Sequence, residues 1–310
     1  MYYPILRGRQ NEMLAIKELL NNPSFSSKII PVIEPVKLTA TVVNTLKAFS
    51  EANRELIIIA NPEVGAFTTD WKNPKNEQYK AQLSELFKKD SIKRGLIINN
   101  RTGPLVTKWR ETGVLDSDII TICNNPDTIK FYEDSFQHST DIKTIVPYAP
   151  AFRRIRKNRI LLDDKFNKKS RNQDYKNNPD EFFSNDHIYY LDDGYIGFSD
   201  YSIIGNEYSE SGFAPHAVAI HIVYFDEDKA LRIHHFVSDT NDDINDPAQK
   251  FYEAVTQLVE WNKVHQLKTT AIEKFEEMYA EQSYPGLGVI KKLSLMHHLE
   301  LIGQYLNGQV

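Results

Sequence analysis

The chain has 310 residues, 41% hydrophobic and 25% charged, with 13 glycines and 14 prolines, a globular composition that excludes collagen-like and low-complexity architectures. A formal net charge of −5 removes a chain-wide electrostatic case for nucleic-acid binding and leaves room only for a local basic patch. A single cysteine, Cys123, excludes a disulfide framework and a cysteine-based zinc cluster; no apolar run could span a bilayer, and the opening MYYPILRGRQNE has no signal layout, so a cytoplasmic protein without a membrane partner is expected.

The first half repeats one rhythm of short apolar run, polar corner and helical period. Tyr2–Leu6 reads as a strand and Asn11–Leu20 as an amphipathic helix with Met13, Ile16 and Leu19 on its apolar side. Lys28–Ile33 is the next strand, with Thr39 or Thr41 as cap for a helix carrying Val42, Val43, Leu46 and Phe49. Leu56–Ala60 is nearly all apolar, as a parallel strand buried on both faces should be. Helix Glu77–Lys89, strand Gly95–Ile98, helix Leu105–Glu111, strand Ile119–Cys123, helix Asp127–Phe136 and strand Lys143–Val146 follow. Runs at Arg159–Leu162 and Tyr195–Phe198 bring the count to eight, which predicts an α/β fold: a (β/α)8 TIM-like barrel in one domain, residues 1–310. A doubly wound parallel sheet is the alternative. Two features decorate this domain: a polar, basic loop at 165–180, and a β-hairpin at 215–240, inserted after the eighth strand and turning through Asp226–Lys229. Extra C-terminal helices are expected over Pro247–His265, Thr269–Glu281 and Val289–Leu306.

Strand residues alternate faces, so the apolar members of each run propose a register. If Tyr3 and Ile5 point inward, so does Arg7; Ile30 and Val32 lead to Glu34, Ile57 and Ile59 to Asn61, and Ile97 to Asn99. Ile120 and Ile122 lead to Asn124, Val146 to Tyr148, Leu161 to Asp163, and Ile196 and Phe198 to Asp200. Every strand thus ends its inward series on a polar group at the C-terminal rim, where β/α barrels keep their active sites. Three carboxylates there, Glu34, Asp163 and Asp200, suit a divalent Mg²⁺ or Mn²⁺ ion, or act as acid and base. Arg7 and Lys37, with Asn61, Asn99 and Tyr148, would bind an anionic substrate, a small molecule or nucleic acid. Turn-favouring asparagines and an Arg7–Glu34 ion pair between neighbouring strands explain part of this pattern without any function.

The hairpin turn sets Phe225 against Ala230 and hence His221 opposite His234, two imidazoles able to share a metal or relay a proton, while His235 reads as a packed core residue. Gly197–Tyr201 and then residues 207–212, rich in hydroxyls, acids and glycine, have the composition of a binding loop. The cationic stretch from Lys165 to Lys176, with Arg153, Arg154, Arg156 and Lys157 upstream, is either a polyanion contact or a solvated loop. There is no dinucleotide fingerprint, Walker loop, H-E-x-x-H or G-x-S-x-G.

MYYPILRGRQNE, IIPVIEPVK, DDKFNKKSRNQDY leading to EFFSNDHIYY, GFSDYSIIGNEYSESG, PHAVAIHIVYF and IHHFVSDTNDDINDPAQKFYEA resemble a bacterial family of unassigned activity, catalogued under a myxobacterial locus name and related to the phage-type "beta protein" families. The resemblance runs from residue 1 to about residue 260. It implies an accessory-genome protein in conflict with phage or mobile elements and a protein partner encoded nearby; it carries over no catalytic set. Two readings follow. In one, the chain is a barrel hydrolase, phosphodiesterase-like, with Glu34, Asp163, Asp200 and His221 as its catalytic groups. In the other, the same scaffold is a non-catalytic binding or regulatory component.

Overall fold

The computed structural model describes every residue except 24, 137 and 211–214. In chain order its elements are β1 (Ile5–Leu6), α1 (Gln10–Leu20), β2 (Val32–Ile33), α2 (Ala40–Glu51), β3 (Leu56–Ile59), α3 (Phe67–Lys72), α4 (Glu77–Leu86), β4 (Ile92–Ile97), α5 (Thr102–Glu111), β5 (Ile119–Ile122), α6 (Ile129–Phe136), β6 (Lys143–Pro147) and β7 (Arg159–Leu162). Then come β8 (Asp180–Ser184), α7 (Asp186–Tyr189), β9 (Gly197–Ser199), β10 (Ala219–Phe225), β11 (Leu231–Val237), α8 (Pro247–His265), α9 (Thr270–Glu281) and α10 (Leu287–Leu306). The chain divides into two compact units, Met1–Leu20 with Ser27–Asp164 and Tyr189–Tyr201, and Asn21–Ser26 with Lys165–Ile188 and Ser202–Val310. The 165–180 loop and the hairpin, expected as decorations of one domain, belong to the second of these.

The first unit is the (β/α)8 barrel. Its sheet runs β1-β2-β3-β4-β5-β6-β7-β9, all parallel, in sequential order with no reversal, which excludes the doubly wound alternative. The last strand returns to the first: Tyr3 N–H donates to Phe198 O at 2.8 Å and Ile5 N–H to Asp200 O at 2.8 Å. Thr39 caps α2, its hydroxyl accepting the Val42 N–H. The interior is filled by Tyr3, Ile5, Ile30, Val32, Ile57, Ile59, Ile97, Ile120, Ile122, Ile145, Ile160, Leu162 and Tyr201. Burying an aliphatic side chain of this kind is worth about 1.5–3 kcal/mol, and the branched residues suit a pleated surface enclosed on both sides.

That interior corrects three of the eight expected registers. The first five strands point as the apolar alternation predicts, but on β6, β7 and β9 the inward residues are Ile145, Ile160 with Leu162, and the series ending at Tyr201. Val146, Leu161 and Phe198 face outward instead. A slip of one residue turns every following side chain to the opposite face. Tyr148, Asp163 and Asp200 therefore leave the barrel interior, and Asp164 and Tyr201 take the inward places. The misreading has a physical cause. The outer face of these strands is as apolar as the inner one, and the inward positions of β9, Gly197 and Ser199, carry no apolar mark. A Cβ on Gly197 would come within 2.7 Å of the Tyr3 ring, so the large Tyr3 fills what the eighth strand leaves empty.

The second unit is built on a three-stranded antiparallel sheet, β10-β11-β8, with α8, α9 and α10. Strand β8, which begins where the expected loop ends, has no counterpart among the sequence expectations. The hairpin turn is one residue longer than expected: Phe225 pairs with Leu231, so His221 opposes His235, and His234 opposes Ile222. The Asp226 carboxylate accepts the N–H groups of Asp228 and Ala230, and Lys229 takes a left-handed φ of 63°, which absorbs the extra residue. No helix is long and apolar enough to cross a membrane among the described residues.

Candidate functional site

At the rim of the barrel the inward polar groups form one connected network. Arg7, leaving β1, makes an ion pair with Glu34, leaving β2, and both side chains are about nineteen-twentieths buried, 6% and 5% exposed. The other oxygen of Glu34, Oε1, accepts the Glu63 N–H at 2.9 Å. Glu63 Oε1 in turn accepts from Asn99 Nδ2 at 2.8 Å. The guanidinium of Arg7 also lies 5.0 Å from the centre of the Tyr201 ring. Burial pushes the Tyr201 hydroxyl up to about 12, with Arg7 opposing the shift and Glu34, Asp164 and Glu63 adding to it, so the three carboxylates act on this phenol together. Gly65 makes the crowding of these loops possible: at its left-handed φ of 71°, a Cβ would stand 2.3 Å from Val36 O.

Behind Arg7 sits an acid with no mark in the sequence beyond its place in a helix. Glu12, the third residue of α1, reaches back to accept the backbone N–H groups of Arg7 and Arg9, the carboxylate half of a capping box. It is 8% exposed, and its Oε2 atom has no hydrogen-bond partner among the described residues. Burial pushes its carboxyl up to about 7, against those two N–H groups and the charges of Arg9 and Arg7. Glu12 thus titrates near neutrality beside a buried guanidinium.

The other expected site residues fall elsewhere. Asn61 is spent on the sheet: its amide donates to Ile97 O at 2.7 Å and accepts the Ile97 N–H at 2.9 Å. Asn99 Oδ1 accepts the Arg101 N–H at 3.0 Å, an Asx turn that opens the way into α5. Lys37 is exposed on the loop after β2, Tyr148 is 66% exposed, and Asp163 is half-buried on the outward face. Asp200 also faces outward, buried, accepting the Tyr2 hydroxyl at 2.5 Å behind the Tyr2–Phe198 ring stack. It anchors barrel closure and takes no place at the rim. Glu34, Asp163 and Asp200 are consequently not one ligand set, and no three His, Cys, Asp or Glu side chains gather as a metal ion would need among the described residues.

His221 belongs to the second unit. Its Nδ1 lies 2.8 Å from Nδ1 of His235, so one ring donates and the other accepts, and Phe166 and Tyr175 pack edge-on against it. Burial, reinforced by His235 and Lys291, pushes His221 well below the usual histidine range and keeps it neutral. His235, expected to be a packed core residue, is buried as expected and is also the partner of His221, meeting Glu181 at 3.4 Å. His234 turns to the other face and binds Asp180 at 3.0 Å, beside Tyr224 and Arg232. The binding-loop reading of residues 207–212 lies partly outside the described residues, which omit 211 and 212.

The rim that the structure assembles therefore comprises Arg7, Glu34, Glu63, Asn99, Asp164 and Tyr201, with Glu12 behind it. Three of these, Glu63, Asp164 and Tyr201, escape the alternation argument: Glu63 because a loop carries it, the other two because of the register slip. A comparison with protein-family models finds no match, and a comparison with curated proteins finds none.

Proposed function

We propose that the barrel is a hydrolase working by general acid–base catalysis at its C-terminal rim, on a substrate whose reacting group is uncharged, such as a glycosidic or ester bond. The observation that carries this reading is the convergence of Arg7, Glu34, Glu63 and Asp164 on the hydroxyl of Tyr201. Glu63 and Asp164 are exposed and able to reach a bound substrate; the Tyr201 phenol, kept protonated, would serve as a donor to it; the buried Arg7–Glu34 pair holds the frame. One guanidinium against three carboxylates opposes the phosphoester or nucleic-acid substrate that the sequence alone suggests, because a free anion would meet net repulsion.

The test is a panel of p-nitrophenyl glycosides, esters and phosphodiesters with wild type, Glu63→Gln, Asp164→Asn and Tyr201→Phe. Turnover of a neutral substrate, reduced at least 100-fold in a carboxylate variant at an unchanged melting temperature, supports the proposal. Turnover confined to phosphodiesters, no turnover at all, or full activity in every variant overturns it.

A second reading rests on Asn61 and Asn99, which are held by backbone groups as a structural rim would hold them. Here the chain is a binding or regulatory component, with the protein partner and the role against phage or mobile elements that the family resemblance implies. Loss of the catalytic reading in the panel leaves this one in its place.

A further inference from the structure

The cationic stretch over residues 153–176 divides between the two units. In its second-unit part the charges are answered: Lys165 meets Asp186 at 3.3 Å, Lys176 meets Asp239 at 3.2 Å, and Lys168, on the lining of a cavity in that unit, meets Glu207 at 3.8 Å. The barrel part, on the connection from β6 to β7, is different. Residues 142–162 contain no aspartate or glutamate, and Arg153, Arg154, Arg156, Lys157 and Arg159 fall within seven residues of a chain whose net charge is −5. Arg154 pairs with Glu133 at 2.8 Å, and Arg159 donates to Asp193 O at 3.2 Å and lies over the Tyr195 ring. Arg153, Arg156 and Lys157 are exposed, and among the described residues no carboxylate lies within ion-pair distance of any of them.

A run of like charges that serves only as a solvated loop should be loose, since its members repel one another. This one is held. Phe152 and Ile155 turn into the core, 4% and 2% exposed, and the N–H groups of Phe152, Arg153 and Ile155 donate to Ala149 O, Pro150 O and Phe152 O. Past the run, Asn158 takes a left-handed φ of 47° and its amide donates to Thr140 O at 2.7 Å. With its two apolar members turned inward, the loop keeps Arg153, Arg156 and Lys157 at the surface of a fixed backbone. Arg153 and Lys157 are at most about 14 Å apart along the chain, so neighbouring phosphates of one strand can serve all three. At the start of the same loop Tyr148 is 66% exposed. Guanidinium groups suit phosphate oxygens, and an exposed ring takes an unpaired base by stacking. A bilayer would need apolar side chains to insert, and those of the run, Phe152 and Ile155, are buried. We propose that the β6–β7 connection binds single-stranded nucleic acid without regard to sequence, its phosphates held by Arg153, Arg156 and Lys157 and a base stacked on Tyr148. The surface does not depend on the hydrolase reading of the rim.

Fluorescence anisotropy of the full chain with a labelled oligothymidine, and with a labelled duplex of the same length, tests the proposal. The single strand should bind at least fivefold more tightly than the duplex, and neither polyglutamate nor phosphatidylserine vesicles should displace it. Three phosphate contacts predict that affinity falls about 20-fold between 50 mM and 200 mM salt. Arg153→Gln, Arg156→Gln and Lys157→Gln combined should abolish binding at an unchanged melting temperature, since all three side chains are exposed. Tyr148→Ala should weaken binding at least fivefold. Lys176→Gln, in the paired part of the stretch, should leave it unchanged. The proposal is overturned by absence of binding at the lower salt, by a duplex bound as tightly as the single strand, or by displacement with polyglutamate or vesicles. Affinity that survives the triple charge removal or the loss of the Tyr148 ring overturns it too. So does affinity lost in Lys176→Gln and kept in the triple variant, which would place the strand on the second unit.

Discussion

The barrel rim and the cavity of the second unit are both lined with charge, and they treat it differently. At the rim, Arg7 is bound to Glu34, Glu34 to the Glu63 backbone, and Glu63 to Asn99, so acid and base satisfy one another before any ligand arrives. The second unit has a cavity of about 930 Å³ lined by Lys168, Arg171 and Lys291 with no carboxylate among its described lining residues, Lys168 meeting Glu207 3.8 Å away. The first arrangement gathers opposite charges into one buried network; the second groups like charges along a lining with its nearest printed carboxylate at the edge. The contrast extends to buried titratable groups. The barrel buries an acid whose pKa is raised, Glu12, and the second unit buries histidines whose pKa values are lowered, beside Glu300, whose pKa burial raises. Glu12 and these histidines should therefore act in opposite directions over the same range, roughly between pH 4 and pH 7.

The largest effect belongs to the histidines. His297 Nε2 lies 2.7 Å from Val223 O and so carries the proton, while its Nδ1 accepts from the Thr269 hydroxyl at 2.9 Å, a residue that also caps α9. His298 Nδ1 meets Ser202 Oγ at 2.7 Å. Burial brings His297 down to about 4, against its bond to Val223 O; burial, with the nearby His297 and His187, brings His298 down to about 3. Both imidazoles are neutral in the folded state, and an unfolded chain would protonate them from the ordinary value of 6.5. Their contribution is thus complete above that value and is lost as pH falls through it toward 4. By pH 4 each has cost about 3 kcal/mol. Hydrogen exchange followed by mass spectrometry should show protection in α10 falling steeply between pH 6.5 and pH 4. Protection of α10 that stays level across this range would break the contrast between the units.

The next effect tests whether the rim is a frame. Arg7→Ala leaves Glu34 buried without its cation and should cost about 3–5 kcal/mol in urea unfolding. Arg7→Met combined with Glu34→Leu removes both charges and should recover most of that loss. A cost below 1 kcal/mol for the single change would mean that water reaches Glu34, and the rim would then resemble the cavity more than it differs from it.

How much of this arrangement the residues disclose depends on whether one face of an element differs from the other. On the first five barrel strands the inward positions are Tyr3 and a run of isoleucines with one valine, so alternation sets the register that leads to Arg7, Glu34, Asn61 and Asn99. At β7 both faces are apolar, and at β9 the inward face holds Gly197 and Ser199, so period two carries no information and Asp164 and Tyr201 are missed. The hairpin register turned on Asp226, whose side chain supports a turn one residue longer than composition suggests. The cavity was half legible: the cationic loop stands out in the sequence, but Lys291 lies more than a hundred residues away and only tertiary folding brings it there.

Glu12 was illegible for a different reason, since an acid in the first turn of a helix is ordinary and nothing local says that it is buried. It supplies the smallest predicted effect and the sharpest check on the barrel's side of the comparison. Its carboxyl rises from 4.5 to about 7 in the folded chain. A raised acid is favoured in its protonated form, so folding is unpenalised below pH 4.5 and loses stability as pH climbs toward 7, by about 3 kcal/mol once the group is ionised in both states. Glu12→Gln cannot ionise. Its unfolding free energy, measured in urea at pH 5 and pH 8, should change less than that of wild type, and it should gain on wild type at the higher pH by up to about 3 kcal/mol. If the two proteins keep the same difference at both values, Glu12 is ionised throughout, and the Arg7 and Arg9 N–H groups hold a carboxylate. The barrel would then show no loss of stability on rising pH to set against the loss that the histidines give the second unit on falling pH, and the contrast between the two would rest on the rim and the cavity alone.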